Sequence, residues 1–492
     1  MTVCLFAGPG TNYLEEPLDE ATTLERVSAY VRSLPDVERI VVFASVRIAG
    51  VPPDWEWRLE SDWDGQMFMN AIGELVTGPD SVILFTYLDQ PFLNRELTVR
   101  LIDRHEQFKA DYTFADGYPV GLAPELLRGR ALGYLRDLAN DAGPVRRDTL
   151  FSIVQKDMNR FDVETELSRT DQRLLRLCLA VDNRANLEVC RSLATSAPES
   201  IDAWPEYVET LRHAHRSLPR YVNVQVLEQD VHEVAYSPYP VVAGSVLSPG
   251  AVMAANRFEQ LVDDLHAFSP EAVVAISLWG EVSLHPDVSR LIEAVAKRAP
   301  LGLIVETSGV GWRAEDRDAL FAQDRVSVIV GLDTNDQILY RDLRGEGYDE
   351  AMQFANEAVE AMPGRAYVQA VRCDLTEPTL ESFYKEWKAK TDNVIIQKYD
   401  WWCGILPDRR VGDLAPLGRF PCWHLQRDLT VLVDGVVPLC REDLQRTREL
   451  GNVFDTGIAG VWRQGEEPYA EHIAGSYRGI CEKCDEYYTF NF

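Results

Sequence analysis

Short apolar runs alternate with stretches of helical spacing along most of the chain. "TVCLFAG", "RIVVFAS" and "SVILFTYLD" have the composition of strands, and the last ends in Asp89. "TTLERVSAYVRSL" and "RELTVRLIDRHEQF" place apolar residues three and four apart, which predicts amphipathic helices. "LLRLCLAVD" reads as a further strand, ending in Asp182, and "NRANLEVCRSL" as the helix after it. The alternation predicts an α/β domain with a mostly parallel sheet over residues 1–215. Asp89 and Asp182 would stand at carboxyl ends of strands, where ligands gather in such sheets.

From 220 to 400 the alternation becomes regular. "VNVQVLE", "AVVAISL", "GLIVETS", "VSVIVGL", "AYVQAVRC" and "NVIIQKY" read as strands, with helical stretches such as "NRFEQLVDDLHAF" and "YDEAMQFANEAVEAM" between them. Eight such units close a barrel; six predict an open, partial (βα)6 barrel with its site at the strand carboxyl ends. After residue 400 the periodicity dissolves into clustered aromatics, Cys and Arg. "LTVLVDGVVPLC" predicts a hairpin turning at Asp434-Gly435. Residues 401–492 are therefore expected to form a small irregular domain that gains from a metal staple.

Charge narrows the class. The formal net charge of −29 is spread along the chain, which excludes a nucleic-acid partner, since phosphates demand Lys and Arg. "MTVCLFAGPG" carries no export signal, and no window reaches the roughly eighteen apolar residues of a membrane helix. A cytoplasmic protein is expected, and its nine cysteines, an odd number, are expected as thiols rather than disulfides.

Four of those cysteines, Cys422, Cys440, Cys481 and Cys484, fall in the last segment with the spacing C-x17-C-x40-C-x2-C. Four thiolates suit either Zn²⁺ or an iron–sulfur cluster, and a single close pair leans toward the cluster. Cys403 and His424 are nearby substitutes, although Cys403 reads as packing beside Trp401 and Trp402. Cys4, Cys178, Cys190 and Cys373 read as core.

The tail, with "PCWHLQRDLTVLVDGVVPLC", "LGNVFDTGIAGVW" and "CEKC", resembles the SPASM domain of radical S-adenosylmethionine (SAM) enzymes. The resemblance implies a [4Fe-4S] cluster on Cys422, Cys440, Cys481 and Cys484. The central segment resembles a radical SAM core, and "ISLWGEVSLHPDVSRLI" implies an amine-binding element at Gly280 and Glu281. The same residues also read as a solvent-exposed strand–helix loop, with His285 capping or packing at the helix start. That family carries C-x3-C-x2-C after its first strand; here "QDVHEVAYSPYP" puts Asp230, Val234 and Ser237 at the three positions. Val cannot ligate iron, and Asp and Ser are poor ligands for such a cluster. Neither a radical SAM cluster nor bound SAM is expected.

"FAGPGTNYLEEPL" and the strand-end Asp89 and Asp182 resemble sugar-nucleotide nucleotidyltransferases. There the two carboxylates would share a divalent ion; otherwise each caps the following helix. Asn12 and Glu16 replace that family's Arg and Lys, which counts against nucleotidyl transfer. All three parts in this order resemble the spiro-SPASM family.

The expectation is an iron–sulfur protein with one [4Fe-4S] cluster and a binding, scaffold or electron-relay role toward a protein or small molecule. The alternatives are a sugar-nucleotide enzyme working through the N-terminal domain and a structural zinc protein. The residues alone name no substrate and no reaction.

Overall fold

The structure is a computed structural model that describes residues 1–8, 11–140, 142–242, 250–412 and 415–489. Pro9 and Gly10 of "FAGPGTNYLEEPL" lie outside these residues. The chain divides into two compact units, Met1–Ser217 and Leu218–Phe492. No helix among the described residues is long and apolar enough to cross a membrane.

The first unit is built on a seven-stranded sheet. Its spatial order is Glu56–Leu59, Arg39–Ala44, Thr2–Ala7, Val82–Tyr87, Glu125–Arg128, Tyr112–Asp116, Val163–Leu167. Pairing is parallel except for Glu125–Arg128, which runs antiparallel to both neighbours. Val3, Leu5 and Ala7 bury one face of the first strand and Cys4 and Phe6 the other, in separate clusters. Burial on both faces is why these strands read as unbroken apolar runs. Helix Thr23–Ser33 opens on a capping box between Thr22 and Glu25.

Two expectations fail here. Residues 174–182 do not form a strand. Leu174 and Leu175 belong to a 3-10 turn and Arg176 is left-handed at φ +47°; beyond them the chain makes one bridge at Cys178 to Val120, with Leu179 N donating to the Val120 carbonyl and Val181 N to the Asp89 carbonyl, both at 2.8 Å. The segment touches two different elements in turn, so no ladder can extend. Nor do Asp89 and Asp182 cap the helices that follow: those caps are Asn94 and Asn183.

His105, on helix Arg95–Gln107, is fully buried, with Nδ1 2.9 Å from Thr113 Oγ1. Burial, and then the Arg128 charge, push its pKa down to about 4. The unfolded chain takes up a proton below about 6.5 that the folded unit refuses until about 4. Stability should therefore fall as the pH drops through that window, by about 3 kcal/mol. His105→Gln should flatten the acid limb of the melting temperature against pH, relative to wild type.

The second unit holds an all-parallel seven-stranded sheet. Its order is Val394–Lys398, Ala366–Arg372, Val326–Gly331, Gly302–Thr307, Val273–Ile276, Tyr221–Val224, Asp428–Val431. The six predicted strands appear in chain order, and the seventh comes from the C-terminal segment. Val222, Val274, Val305, Val328 and Val368 belong to the large core that also takes in apolar residues of the helices Ala255–Phe268, Val288–Ala296, Tyr348–Ala361 and Glu377–Lys388. The opposite face begins apolar, with Tyr221, Ala275, Ile304 and Ile329 in contact. Two residues further along, the same face turns polar, at Glu306 after Ile304, Gln369 after Tyr367 and Gln397 after Ile395.

The predicted hairpin is corrected in part. The turn exists, with Gly435 at φ +85° and Leu432 N donating to the Val436 carbonyl at 2.9 Å. Its arms then part: Asp428–Val431 pairs with Tyr221–Val224, and Val436–Pro438 pairs with Glu449–Asn452.

Candidate functional site

A cavity of about 230 Å³ opens at the carboxyl ends of the central strands. Its floor is the polar end of the inner sheet face, Glu306, Gln369 and Gln397. Burial pushes the Glu306 carboxyl up, while the Arg441 charge and a hydrogen bond from Gln369 oppose it. The three thiol-less positions Asp230, Val234 and Ser237 all line the cavity. Asp230 Oδ1 accepts from His232 N at 3.0 Å, and His232 Nε2 donates to the Glu346 carbonyl at 2.9 Å.

Gly280 and Glu281 also line it. Gly280 has φ +108°, and a Cβ there would meet the Leu227 carbonyl oxygen at 2.3 Å, so this turn admits only glycine. Glu281 is 4% exposed and already holds four donors: Thr307 Oγ1 at 2.6 Å and Ser283 N at 3.2 Å on one oxygen, Ser308 N and Oγ at 2.7 Å on the other. A carboxylate has about four lone-pair sites, so Glu281 ties the loop to the neighbouring strand end with its full capacity. His285 packs: Nε2 donates to the Met253 carbonyl at 3.0 Å, and Nδ1 accepts from Asp287 N at 3.1 Å.

Arg344 and Arg441 were not singled out by sequence. Arg344 Nε donates to Asp333 Oδ2 at 2.6 Å, with Asp333 1% exposed. Arg441 directly follows Cys440. It donates to Glu442 at 2.9 Å and to Asp400 Oδ2 at 3.0 Å, and lies 5.1 Å over the Trp402 ring. Asp400 Oδ1 in turn accepts from Trp402 N at 2.8 Å. Trp402 and Cys403 both have left-handed backbone, φ +53° and +52°, which is rare for side chains of this size and marks functional sites.

The predicted thiols are charge neighbours of one another. Burial, and then the neighbouring thiols, push Cys422 well above the ordinary thiol range and Cys481 up to about 12. For Cys440 burial leads, followed by Glu442 and the other three thiols. Cys403 joins the group: its thiol donates a hydrogen bond to Cys484, which holds Cys484 low and Cys403 high. Cys484 Sγ also accepts from Glu486 N at 3.3 Å. His424 is engaged at both nitrogens, with Asp428 at 2.6 Å and Thr489 at 3.0 Å. Among the described residues no group of three or more His, Cys, Asp or Glu forms the ligand set of a metal ion. Cys422 and Cys481 are buried and Cys440 and Cys484 half-buried, and the thiols disfavour one another's ionisation, which the cationic core of an iron–sulfur cluster would offset.

In the first unit Asp89 and Asp182 do come together, but around Arg147. Its guanidinium grips both oxygens of Asp89 at 3.1 and 2.6 Å and Asp182 Oδ2 at 2.9 and 3.3 Å. Glu16 pairs with Arg191 at 2.8 Å, and Asn12 is exposed.

The SPASM profile, an iron–sulfur cluster-binding domain, matches residues 422–485, a span bounded by the first and just past the last of the four thiols. An uncharacterized protein of Treponema pallidum (strain Nichols) is 34% identical over 358 residues, 70% of this chain and 98% of the relative. Among solved structures, Streptococcus suis SuiB bound to precursor peptide SuiA overlays with a TM-score of 0.44 at 14% identity, covering 73% of this chain and 89% of SuiB. A cytidylyltransferase from Leptospira borgpetersenii serovar Hardjo-bovis (strain JB197) overlays with a TM-score of 0.34 at 14% identity, covering 43% and 92%.

Proposed function

The chain belongs to the same family as the Treponema pallidum protein, a spiro-SPASM-like family marked by its C-terminal iron–sulfur domain, and on that premise we propose that it is an iron–sulfur binding or electron-relay protein rather than a radical SAM enzyme. Cys422, Cys440, Cys481 and Cys484 would hold one [4Fe-4S] cluster, which supplies a one-electron redox centre when bound. Four protein ligands leave no open iron site, so the cluster would not activate a substrate directly.

Two features support this reading: the iron–sulfur domain match spans all four thiols, and no cysteine lines the cavity. Asp230, Val234 and Ser237 offer no donor set for a second cluster. Arg441, Asp400 and Trp402 line the cavity and contact one another. Arg441 stands next to ligand Cys440 in sequence and faces the cavity, so a charge change at the thiols would be felt by whatever occupies it. Glu306, Gln369 and Gln397 suit a small polar ligand. For the first unit we propose a nucleotidyltransferase-like scaffold, supported by its mixed sheet and by the two carboxylates that meet beside it.

Anaerobically purified protein should be brown, absorb near ~400 nm and carry about four irons with matching sulfide per chain. Incubated with SAM and a strong reductant, it should release no 5′-deoxyadenosine. Stoichiometric zinc without sulfide would replace this reading with the structural-zinc one; 5′-deoxyadenosine formation would overturn the non-catalytic assignment.

A further inference from the structure

Arg147, which joins Asp89 and Asp182, has no part in the proposed function. A single nitrogen, Arg147 Nη2, lies 2.6 Å from Asp89 Oδ2 and 2.9 Å from Asp182 Oδ2. A divalent cation takes carboxylate oxygens at about 2.0–2.6 Å. An ion at the place of that nitrogen would need the two carboxylates to move by well under an ångström each.

The carboxylates are also held as metal ligands commonly are, by neighbours that fix their orientation. Asp182 Oδ1 accepts from Asn183 Nδ2 at 2.9 Å and from Asn186 Nδ2 at 2.7 Å, leaving Oδ2 pointing at Arg147. Val181 N donates to the Asp89 carbonyl, which sets the two residues side by side. The guanidinium is equally constrained. It lies 5.1 Å over the Tyr87 ring, and the Tyr87 hydroxyl donates to the Arg146 carbonyl at 2.5 Å. About a quarter of the Arg147 and Asp182 side chains faces solvent, so an ion has a way in. Arg stays protonated throughout the accessible pH range, so this cation cannot be titrated away.

We propose that Arg147 is a built-in counter-cation in the place of a divalent metal ion, so that the first unit carries a masked metal site whose ligands are Asp89 and Asp182. In the wild-type chain the two carboxylates bind no metal. Removing the guanidinium leaves two facing carboxylates whose repulsion a divalent ion relieves.

Mn²⁺ titration of the full-length protein, followed by the electron paramagnetic resonance signal of free Mn²⁺, tests this. Wild type and Asp89→Asn should titrate identically. Arg147→Met should bind one more Mn²⁺ per chain than wild type, and Arg147→Met/Asp89→Asn should lose it again. Mn²⁺ should raise the melting temperature of Arg147→Met and leave that of wild type unmoved, because a ligand stabilises only the form that binds it. If Arg147→Met is recovered unfolded, Arg147→Gln is titrated in its place. A site in wild type that Asp89→Asn abolishes would overturn the proposal. So would an Arg147 variant with the wild-type circular dichroism spectrum and no additional Mn²⁺.

Discussion

Replacing Cys481 with alanine should strip the protein of its iron and its colour. A [4Fe-4S] cluster rests on four thiolates, and loss of one leaves an iron exposed to solvent and exchange. Cys481 is 7% exposed and packs in the same apolar core as Cys422 and Tyr487, so a cluster held there would share a wall with that core. Iron should fall from about four per chain to below about one. The second unit should also melt earlier, because a bound metal group contributes its binding free energy to folding. Cys403→Ala is the matched control: it removes the thiol that hydrogen-bonds Cys484 and should leave the iron in place. Full iron in Cys481→Ala, or none in Cys403→Ala, would show that the ligand set is drawn wrongly.

Arg344→Met should destabilise the second unit by about 3–5 kcal/mol, the usual cost of stranding one member of a buried ion pair. Both Asp333 oxygens are engaged. Oδ2 takes Arg344, Oδ1 takes Val371 N at 2.8 Å, and its own backbone is left-handed at φ +69°. Removing the guanidinium leaves a charge 1% exposed at the end of a central strand. Urea unfolding followed by tryptophan fluorescence should show the loss, and adding Asp333→Asn to Arg344→Met should restore part of it. A double variant no more stable than Arg344→Met alone would mean that the cost comes from packing and not from charge.

The parts visible in sequence are those whose signal is local. The six strands of the second unit stand out because helices bury one face and the other begins apolar, so each opens on an apolar run before its carboxyl end turns polar. The strands Glu56–Leu59 and Val163–Leu167 were invisible because each is short and neither has a fully buried residue to mark a core face. The role of Asp428–Val431 was hidden for a different reason. It reads correctly as a strand, but its partner lies at Tyr221–Val224, which no local pattern can name. The thiols were legible from spacing and type. Arg147 was not, since its partners are 58 and 35 residues away and "GPVRRDTL" has the look of an ordinary basic turn. Arg441 could have been suspected as the cation beside a ligand cysteine.

That late seventh strand also bears on how the protein is made. The sheet of the second unit begins at Tyr221, yet the edge beside Tyr221–Val224 is filled only by Asp428–Val431. On a ribosome that edge waits while roughly two hundred more residues are synthesised, about 10–40 seconds at ordinary rates. Through that interval its N–H and C=O groups are a bare template for any other extended chain. The first unit, whose contacts close within Met1–Ser217, can finish folding meanwhile. Newly made protein should thus pass through a state with one folded unit and one open-edged unit, the stage at which a chaperone matters most.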